Sequence, residues 1–174
     1  MRTVTTIDEL YIQGIEADFN FVATENLPLY GGIGLMDSEI EENRNRPLSE
    51  GNDVPQAPET TGNLGAELTF PLSVGLELVS RLDWQYTGEM RFHTLQGEQT
   101  PTILNAFFGP GFNQDFSQSA RDDFSLLDLR IGVEAENWSI TAWGRNLTDE
   151  QYLQEVIPAP EFGGSFNHPS ALRS

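Results

Sequence analysis

The feature that most constrains this chain is a pair of alternating segments only two residues apart. In Leu127–Ala135, Leu127, Leu129, Ile131 and Val133 share one side, and Asp128, Arg130 and Glu134 the other. In the stretch opening at Trp138, Trp138, Ile140 and Ala142 share one side, and Ser139, Thr141 and Arg145 the other. A helical period would scatter both sets; the two-residue period of a strand separates them. Between them lies only Glu136-Asn137, a hairpin-sized gap. Reflection through that gap predicts Val133 opposite Ile140, Ile131 opposite Ala142, Arg130 opposite Trp143 and Asp128 opposite Arg145. The last would be an opposite-charge cross-strand pair. The polar run Asn146-Leu147-Thr148-Asp149-Glu150 then suits a turn at the strand rim.

The same plan recurs along the chain. From about Tyr11 to Ala23, Tyr11, Ile15, Ala17, Phe19, Phe21 and Ala23 share a face with Gln13 as the polar exception, opposite Gly14, Glu16, Asp18 and Asn20. Glu25-Asn26-Leu27-Pro28 reads as a turn. Leu29–Leu35 follows, with Leu29, Gly31, Ile33 and Leu35 on one face. Reflection about Asn26 pairs Phe19 with Ile33 and Phe21 with Gly31, a ring over a bare glycine. Thr60–Phe70 and Val74–Tyr86 alternate in the same way around a turn at Pro71-Leu72-Ser73. Trp84 and Tyr86 gather at the strand end away from that turn, where aromatic girdles sit in membrane barrels. Asp37–Pro58 reads as a long solvated loop, and Gly88 to about Asp122 as the longest one, within which Thr102–Phe108 forms a short strand or a loop plug. After Tyr152 the chain reads as irregular, with Pro158, Pro160, Gly163, Gly164 and Pro169, and it stops at Ser174 without a closing strand. The predicted fold class is all-β: an antiparallel up-and-down meander of long strands, an incomplete section of a transmembrane β-barrel.

Composition narrows the function classes. The 174 residues carry a formal net charge of −18, which argues against nucleic acid and against a polybasic membrane-surface segment. Cys is absent and there are two His, His93 and His168, so thiolate or His-based metal sites are not expected. No apolar run reaches the length of about 18 residues that a spanning helix needs, but a spanning strand needs only about 9–11 residues, alternately apolar. The opening MRTVTTIDEL has no apolar core or cleavage site and does not read as a signal peptide.

Three motifs add a resemblance. Trp143–Tyr152, WGRNLTDEQY, resembles the C-terminal region of TonB-dependent outer-membrane receptors, where an N-L-T-D-x-x-Y motif follows the penultimate barrel strand. Its residues here are Asn146, Leu147, Thr148, Asp149 and Tyr152. Ile12-Gln13-Gly14-Ile15-Glu16 resembles that family's x-G-x-E strand opening, and Val54-Pro55-Gln56-Ala57-Pro58 its P-x-A-P approach. The resemblance implies a Gram-negative outer-membrane location and active uptake of a scarce nutrient such as a ferric siderophore, with no enzymatic activity and no cofactor. It implies as partners the plug domain and remaining barrel of a parent receptor, the TonB complex through the plug, outer-membrane lipid and the nutrient. On this reading residues 1–174 are the C-terminal portion of the barrel, with about six strands. The plug would precede residue 1, and His168–Ser174 stands where the family's final strand, ending on an aromatic residue, should begin. A six-strand wall has open edges and would transport nothing alone.

The candidate site residues follow. Glu16, Asp18, Arg81, Asp83, Asp128, Arg130 and Arg145 would face the lumen. Paired carboxylates also raise a glycosidase, but the polar interior of a barrel is the preferred account, and no Ser-His-Asp set stands out. Arg91 and His93, beside the aromatic rim, and Phe107 and Phe108 in the longest loop are candidate ligand contacts. The residues alone leave it open whether these phenylalanines meet a ligand or pack the loop on itself. The alternative is a secreted soluble β-sandwich that binds or hydrolyses carbohydrate. Sandwich strands usually run about 5–6 residues, shorter than the segments here.

Overall fold

The alternating segments form one antiparallel wall. The computed structural model describes residues 6–97, 99–101, 104–159 and 164–170. Its strands are β1 (Glu9–Thr24), β2 (Leu27–Glu42), β3 (Thr60–Ser73), β4 (Leu76–Thr87), the short β5 (Met90–Arg91), β6 (Gln99–Pro101), β7 (Asn113–Asp115) and β8 (Ala120–Arg121), then β9 (Phe124–Ala135), β10 (Trp138–Gly144), β11 (Leu153–Ala159) and β12 (Gly164–Pro169). The wall runs β1-β2-β3-β4-β9-β10. At one end its connections are the tight turns Glu25-Asn26, Val74-Gly75 and Glu136-Asn137. The long excursions leave from the other end.

Register gathers the apolar side chains on one face. One row reads Phe19, Gly31, Leu64, Trp84, Leu127 across five strands, and another Phe70, Leu78, Val133, Ile140. The other face carries Asn20, Tyr30, Gly65, Asp83, Asp128 in one row and Glu67, Arg81, Arg130, Trp143 in the next. The apolar face is bare: Ile15 is 74% exposed, Phe21 58% and Ile140 70%. A β-sandwich would bury such a face against a second sheet. Among the described residues no second sheet lies on it, so the structure departs from the sandwich alternative. Among the described residues the buried large apolar side chains, Ile40, Leu95, Phe116 and Val156, all lie at the long-loop end.

The alternation changes parity along β1 and β2. Up to Ile15 and Leu35 the apolar residues occupy the bare face. Beyond them, that face carries Gln13 opposite Asp37 and Tyr11 opposite Glu39, while the reverse face carries Ile12, Met36 and Ile40. The Tyr11 hydroxyl donates to Asp37, and that hydrogen bond raises the Tyr11 pKa. The strands therefore continue past the apolar band with their sides exchanged. This overturns the reading of Asp37–Glu42 as loop.

Other boundaries also move. The first turn takes only Glu25-Asn26, so Leu27 and Pro28 belong to β2 and the pairing slips by two residues: Phe19 faces Gly31 and Phe21 faces Leu29. The parity is unchanged, and the ring over the glycine is that of Phe19. The second turn sits at Val74-Gly75 rather than Pro71-Leu72-Ser73, because Gly75 takes φ +71°, a left-handed conformation without a Cβ penalty. Pro71 lies in β3 opposite Glu77. The third hairpin follows its predicted register as far as Gly144 opposite Leu129, one residue short of the Asp128–Arg145 pair. Asp128 instead accepts the Asn146 amide at 2.8 Å, and Arg145 lies 5.6 Å from the centre of the Trp143 ring. Of Thr102–Phe108, read as a short strand or a loop plug, Leu104–Phe108 forms a short helix, α1; residues 102–103 lie outside the described ones. The region after Tyr152, read as irregular, forms the β11–β12 hairpin, with residues 160–163 outside the described ones.

Candidate functional site

Three excursions meet above the wall. The first, after β2, folds back on its own strand: Gly51 N–H donates to Ile40 O at 2.9 Å, Ile40 N–H to Asn52 O at 2.9 Å, and Val54 N–H to Ser38 Oγ at 3.2 Å. Ile40 and Ser49 are fully buried beneath it. Buried Asn43 donates to Ser49 Oγ at 2.9 Å, which fixes the turn at Pro47–Ser49.

The second excursion, after β4, docks on the first. Asn52 Nδ2 donates to Thr94 O at 2.9 Å, Gln96 Nε2 to Asp53 O at 2.7 Å, and the Gln56 amide to Arg91 O at 2.7 Å. Its two ends pair as β5 and β8, with Met90 opposite Arg121 and Arg91 opposite Ala120.

The third begins at the N-L-T-D motif, and the geometry explains those residue types. Asn146 takes φ +49°. Its side chain bridges the turn both ways: Nδ2 donates to Glu150 O and Oδ1 accepts Glu150 N–H, each at 2.9 Å. Asparagine tolerates this backbone region because its short amide bonds locally. Leu147 N–H donates to Leu127 O at 2.8 Å, which ties the turn to β9. Tyr152 stacks on Phe124 with centroids 3.8 Å apart and planes 7° apart. The Tyr152 carbonyl accepts Ser170 N–H at 2.7 Å, which closes the neck of the β11–β12 loop.

Where the three meet is a cavity of about 460 Å³ lined by Gln56, Met90, Phe92, Gln154, Glu155 and His168. Behind Met90 and Phe92 lies Arg121, 8% exposed. Its guanidinium carbon sits 4.7 Å from the Phe124 ring centre and 6.0 Å from those of Phe92 and Tyr152. Nη2 reaches Met90 Sδ at 3.8 Å, and the buried Nε has no hydrogen-bond partner. Burial pushes the Arg121 pKa below its ordinary value.

Of the predicted ligand contacts, none lines this cavity. Arg91 pairs with Glu89 at 2.7 Å. His93 stacks on Phe116 at 4.5 Å, its Nδ1 accepts Leu95 N–H at 3.0 Å, and its Nε2 lies 2.9 Å from Arg46 Nη1. Phe107 and Phe108 are 75% and 70% exposed on α1. Met90 and Phe92, which do line it, alternate with Arg91 and His93 along the chain. Gln154 and Glu155 were hidden in the stretch taken as irregular.

The predicted lumen residues Glu16, Asp18, Arg81, Asp83, Asp128 and Arg130 share the polar face by register; Arg145 lies past the ladder. Arg81 bonds Asp83 at 2.7 Å and Glu67 at 3.2 Å, and lies 5.2 Å over the Tyr30 ring, whose hydroxyl donates to Asp83. Glu16, Asp18, Gly32, Gly34, Thr61 and Asn63 flank a second hollow, of about 430 Å³, on that face. Among the described residues no group of three or more His, Asp or Glu side chains is placed to hold a metal ion.

A wall of long antiparallel strands, bare and apolar on one face, polar on the other and capped at one end by interlocked loops, is a section of a large membrane-type β-barrel. Residues 2–147 match the family described as TonB dependent receptor-like, beta-barrel, and the chain belongs to that family. Among solved structures it is similar to the ferric yersiniabactin uptake receptor FyuA from Yersinia pestis, with TM-score 0.72 and 16% identity over 94% of this chain and 22% of that one. It is also similar to BauA, the ferric preacinetobactin receptor from Acinetobacter baumannii (TM-score 0.63, 17% identity, 94% and 21% covered). A third is the siderophore receptor PiuA from Acinetobacter baumannii (TM-score 0.60, 14% identity, 94% and 20% covered). The chain thus spans about a fifth of the length of each.

Proposed function

We propose that this chain is a wall section and part of the extracellular cap of an outer-membrane receptor for ferric siderophores, driven by TonB through a plug domain carried elsewhere in the same protein. In this reading the bare apolar face meets lipid, the polar face meets the plug, and the three-loop cavity forms part of the ligand mouth. The reaction is transport; the chain supplies binding surface and an insulating wall.

The observation that carries the reading is the apolar band and its upper edge. From Leu76 to Tyr86, β4 rises about 33 Å; at a tilt of about 40° this projects to about 25 Å, the height of the lipid-facing band in outer-membrane barrels. At Ile15 and Leu35 the bare face turns from apolar to polar, as it must where lipid gives way to water. The structural relatives named as ferric siderophore receptors support the ligand class.

Deleting the gene that carries this chain, with and without complementation, and measuring uptake of a panel of radiolabelled ferric siderophores under iron limitation tests the reading. The expected result is loss of uptake of at least one complex and its return on complementation. Unchanged uptake of every complex, with the protein absent from outer-membrane fractions, would overturn it.

A further inference from the structure

A net charge of −18 works against a compact chain by self-repulsion, so the placement of the carboxylates is informative. Much of the charge gathers in the loop cap. Asp37–Glu59 holds seven carboxylates against Arg44 and Arg46, Glu89–Asp123 five against Arg91 and Arg121, and Asp149–Glu155 three with no arginine. The chain has no lysine. The arginines are engaged within the cap: Arg44 pairs with Glu42 at 2.8 Å, Arg91 pairs with Glu89 at 2.7 Å, Arg46 donates to Thr94 Oγ1 at 3.2 Å, and Arg121 is buried among rings.

The three-loop cavity carries the same sign. No arginine lines it, and Glu155 is its one carboxylate. Among the described residues Glu155 forms no ion pair. Its cross-strand neighbour is His168, whose Nδ1 lies 3.0 Å from the Pro169 carbonyl oxygen instead. The hollow on the polar face repeats the pattern independently. Glu16 and Asp18 are its only charged lining residues, and neither forms an ion pair among the described residues.

A ligand seated in the cavity takes water away from the Glu155 carboxylate. An anionic or uncharged ligand leaves that charge without a partner, which is costly. A protonated amine at the same point replaces the lost water with a charge-assisted hydrogen bond. Met90 and Phe92 offer apolar surface for carbon beside that amine. The surrounding carboxylates act in the same sense at longer range, since a field of one sign concentrates ions of the other. We infer that the loop-cap cavity is a cation site, and that its ligand presents a protonated amine to Glu155. Glu155 sets the charge selectivity of the cavity. This rests on the receptor reading and narrows its cargo to an iron complex that carries a protonated amine.

The test uses the whole receptor purified in detergent at pH 8, where an ordinary imidazole is uncharged. Salt at about 0.15 M screens the general field to within about 8 Å. The probes are benzylamine, benzyl alcohol and benzoate, similar in size and different in charge, followed by ligand-observed NMR. Benzylammonium is expected to saturate at about millimolar concentration, and the other two to bind at least about tenfold more weakly. Glu155→Gln is expected to weaken benzylammonium at least about fivefold, and Glu155→Lys to reverse the order in favour of benzoate. Glu41→Gln removes an equal charge from the cap outside the cavity and is expected to leave binding unchanged. Absent benzylammonium saturation, equal binding of the three probes, or binding unchanged in Glu155→Gln would each overturn the inference. Equal losses in Glu155→Gln and Glu41→Gln would also do so, since they would make the effect a general field and not a site. Glu155-dependent binding alongside iron uptake unchanged on gene deletion would mean failure of the transport reading alone. Uptake lost on deletion with benzylammonium indifferent to Glu155 would mean failure of this inference alone.

Discussion

Gly31 and Gly62 share the apolar face of the wall, yet substituting alanine at each should move stability in opposite directions. A Cβ at Gly31 would lie 2.7 Å from Asn63 O on the neighbouring strand, 2.7 Å from Leu64 Cδ2 and 2.7 Å from Phe19 Cε1. The two side chains can turn aside, but the carbonyl belongs to the β2–β3 ladder and cannot. Overpacking of this kind costs about 1–3 kcal/mol. At Gly62 the nearest atoms, Gly32 O, Trp84 Cζ3 and Tyr86 Cβ, lie at 3.8–3.9 Å, ordinary contact. There a methyl group fills open space and restricts the unfolded chain, a gain of about 0.4–1 kcal/mol. The two substitutions remove the same glycine freedom, so that term acts at both sites and the difference reports packing. The expected gap between Gly31→Ala and Gly62→Ala is therefore the overpacking cost alone, about 1–3 kcal/mol. Urea titration of the whole receptor in lipid vesicles, followed by tryptophan fluorescence, measures it. Equal effects at the two positions, or a stabilising Gly31→Ala, would refute the close strand approach at Gly31 and with it the pairing of Phe19.

Two more substitutions test the turn and the bare face. Asn146→Ala gives up both side-chain bonds to Glu150 and leaves a Cβ residue at φ +49°, a loss of about 2–3 kcal/mol, whereas Asn146→Gly keeps the backbone comfortable and should lose less, about 1–2 kcal/mol. Thermal unfolding of the two variants gives the order, and an Asn146→Gly protein less stable than Asn146→Ala contradicts the left-handed assignment. Leu129 lies mid-band beside Leu82, so Leu129→Arg should destabilise the protein in vesicles by about 2–4 kcal/mol, while an Arg at Ser139 on the polar face should cost far less. Urea midpoints compare them, and similar costs on both faces argue against lipid on the apolar one.

The strands were legible because each face keeps one polarity along most of its length. The β9–β10 hairpin was read to the residue, from Trp138 opposite Ala135 to Gly144, since a two-residue gap leaves a single register. Reading failed where the rule changed rather than where the signal faded. Met36, Asp37, Ser38, Glu39 and Ile40 alternate as well as any strand here, but with the apolar residues on the other parity, so the segment resembled an acidic loop. Pro71 drew the second turn towards itself, although proline is tolerated near a strand end and Gly75 was the residue able to take the turn's backbone. The loop cap was the least legible part. Arg121 meets Phe92 and Tyr152 across 29 and 31 positions, and no local period announces such a meeting. Arg91 and His93 were chosen for their chemistry, while their neighbours Met90 and Phe92 line the cavity.

Because β1 and β2 run on past the apolar band as one paired ladder, this part of the chain is a stiff ribbon rather than a pair of tethers. The side that carries Tyr11, Gln13, Asp37 and Glu39 is held at a fixed height and angle beyond the apolar band. In the receptor reading that would make it a rigid, pre-ordered acidic epitope, which a binding protein could grip at little cost in entropy.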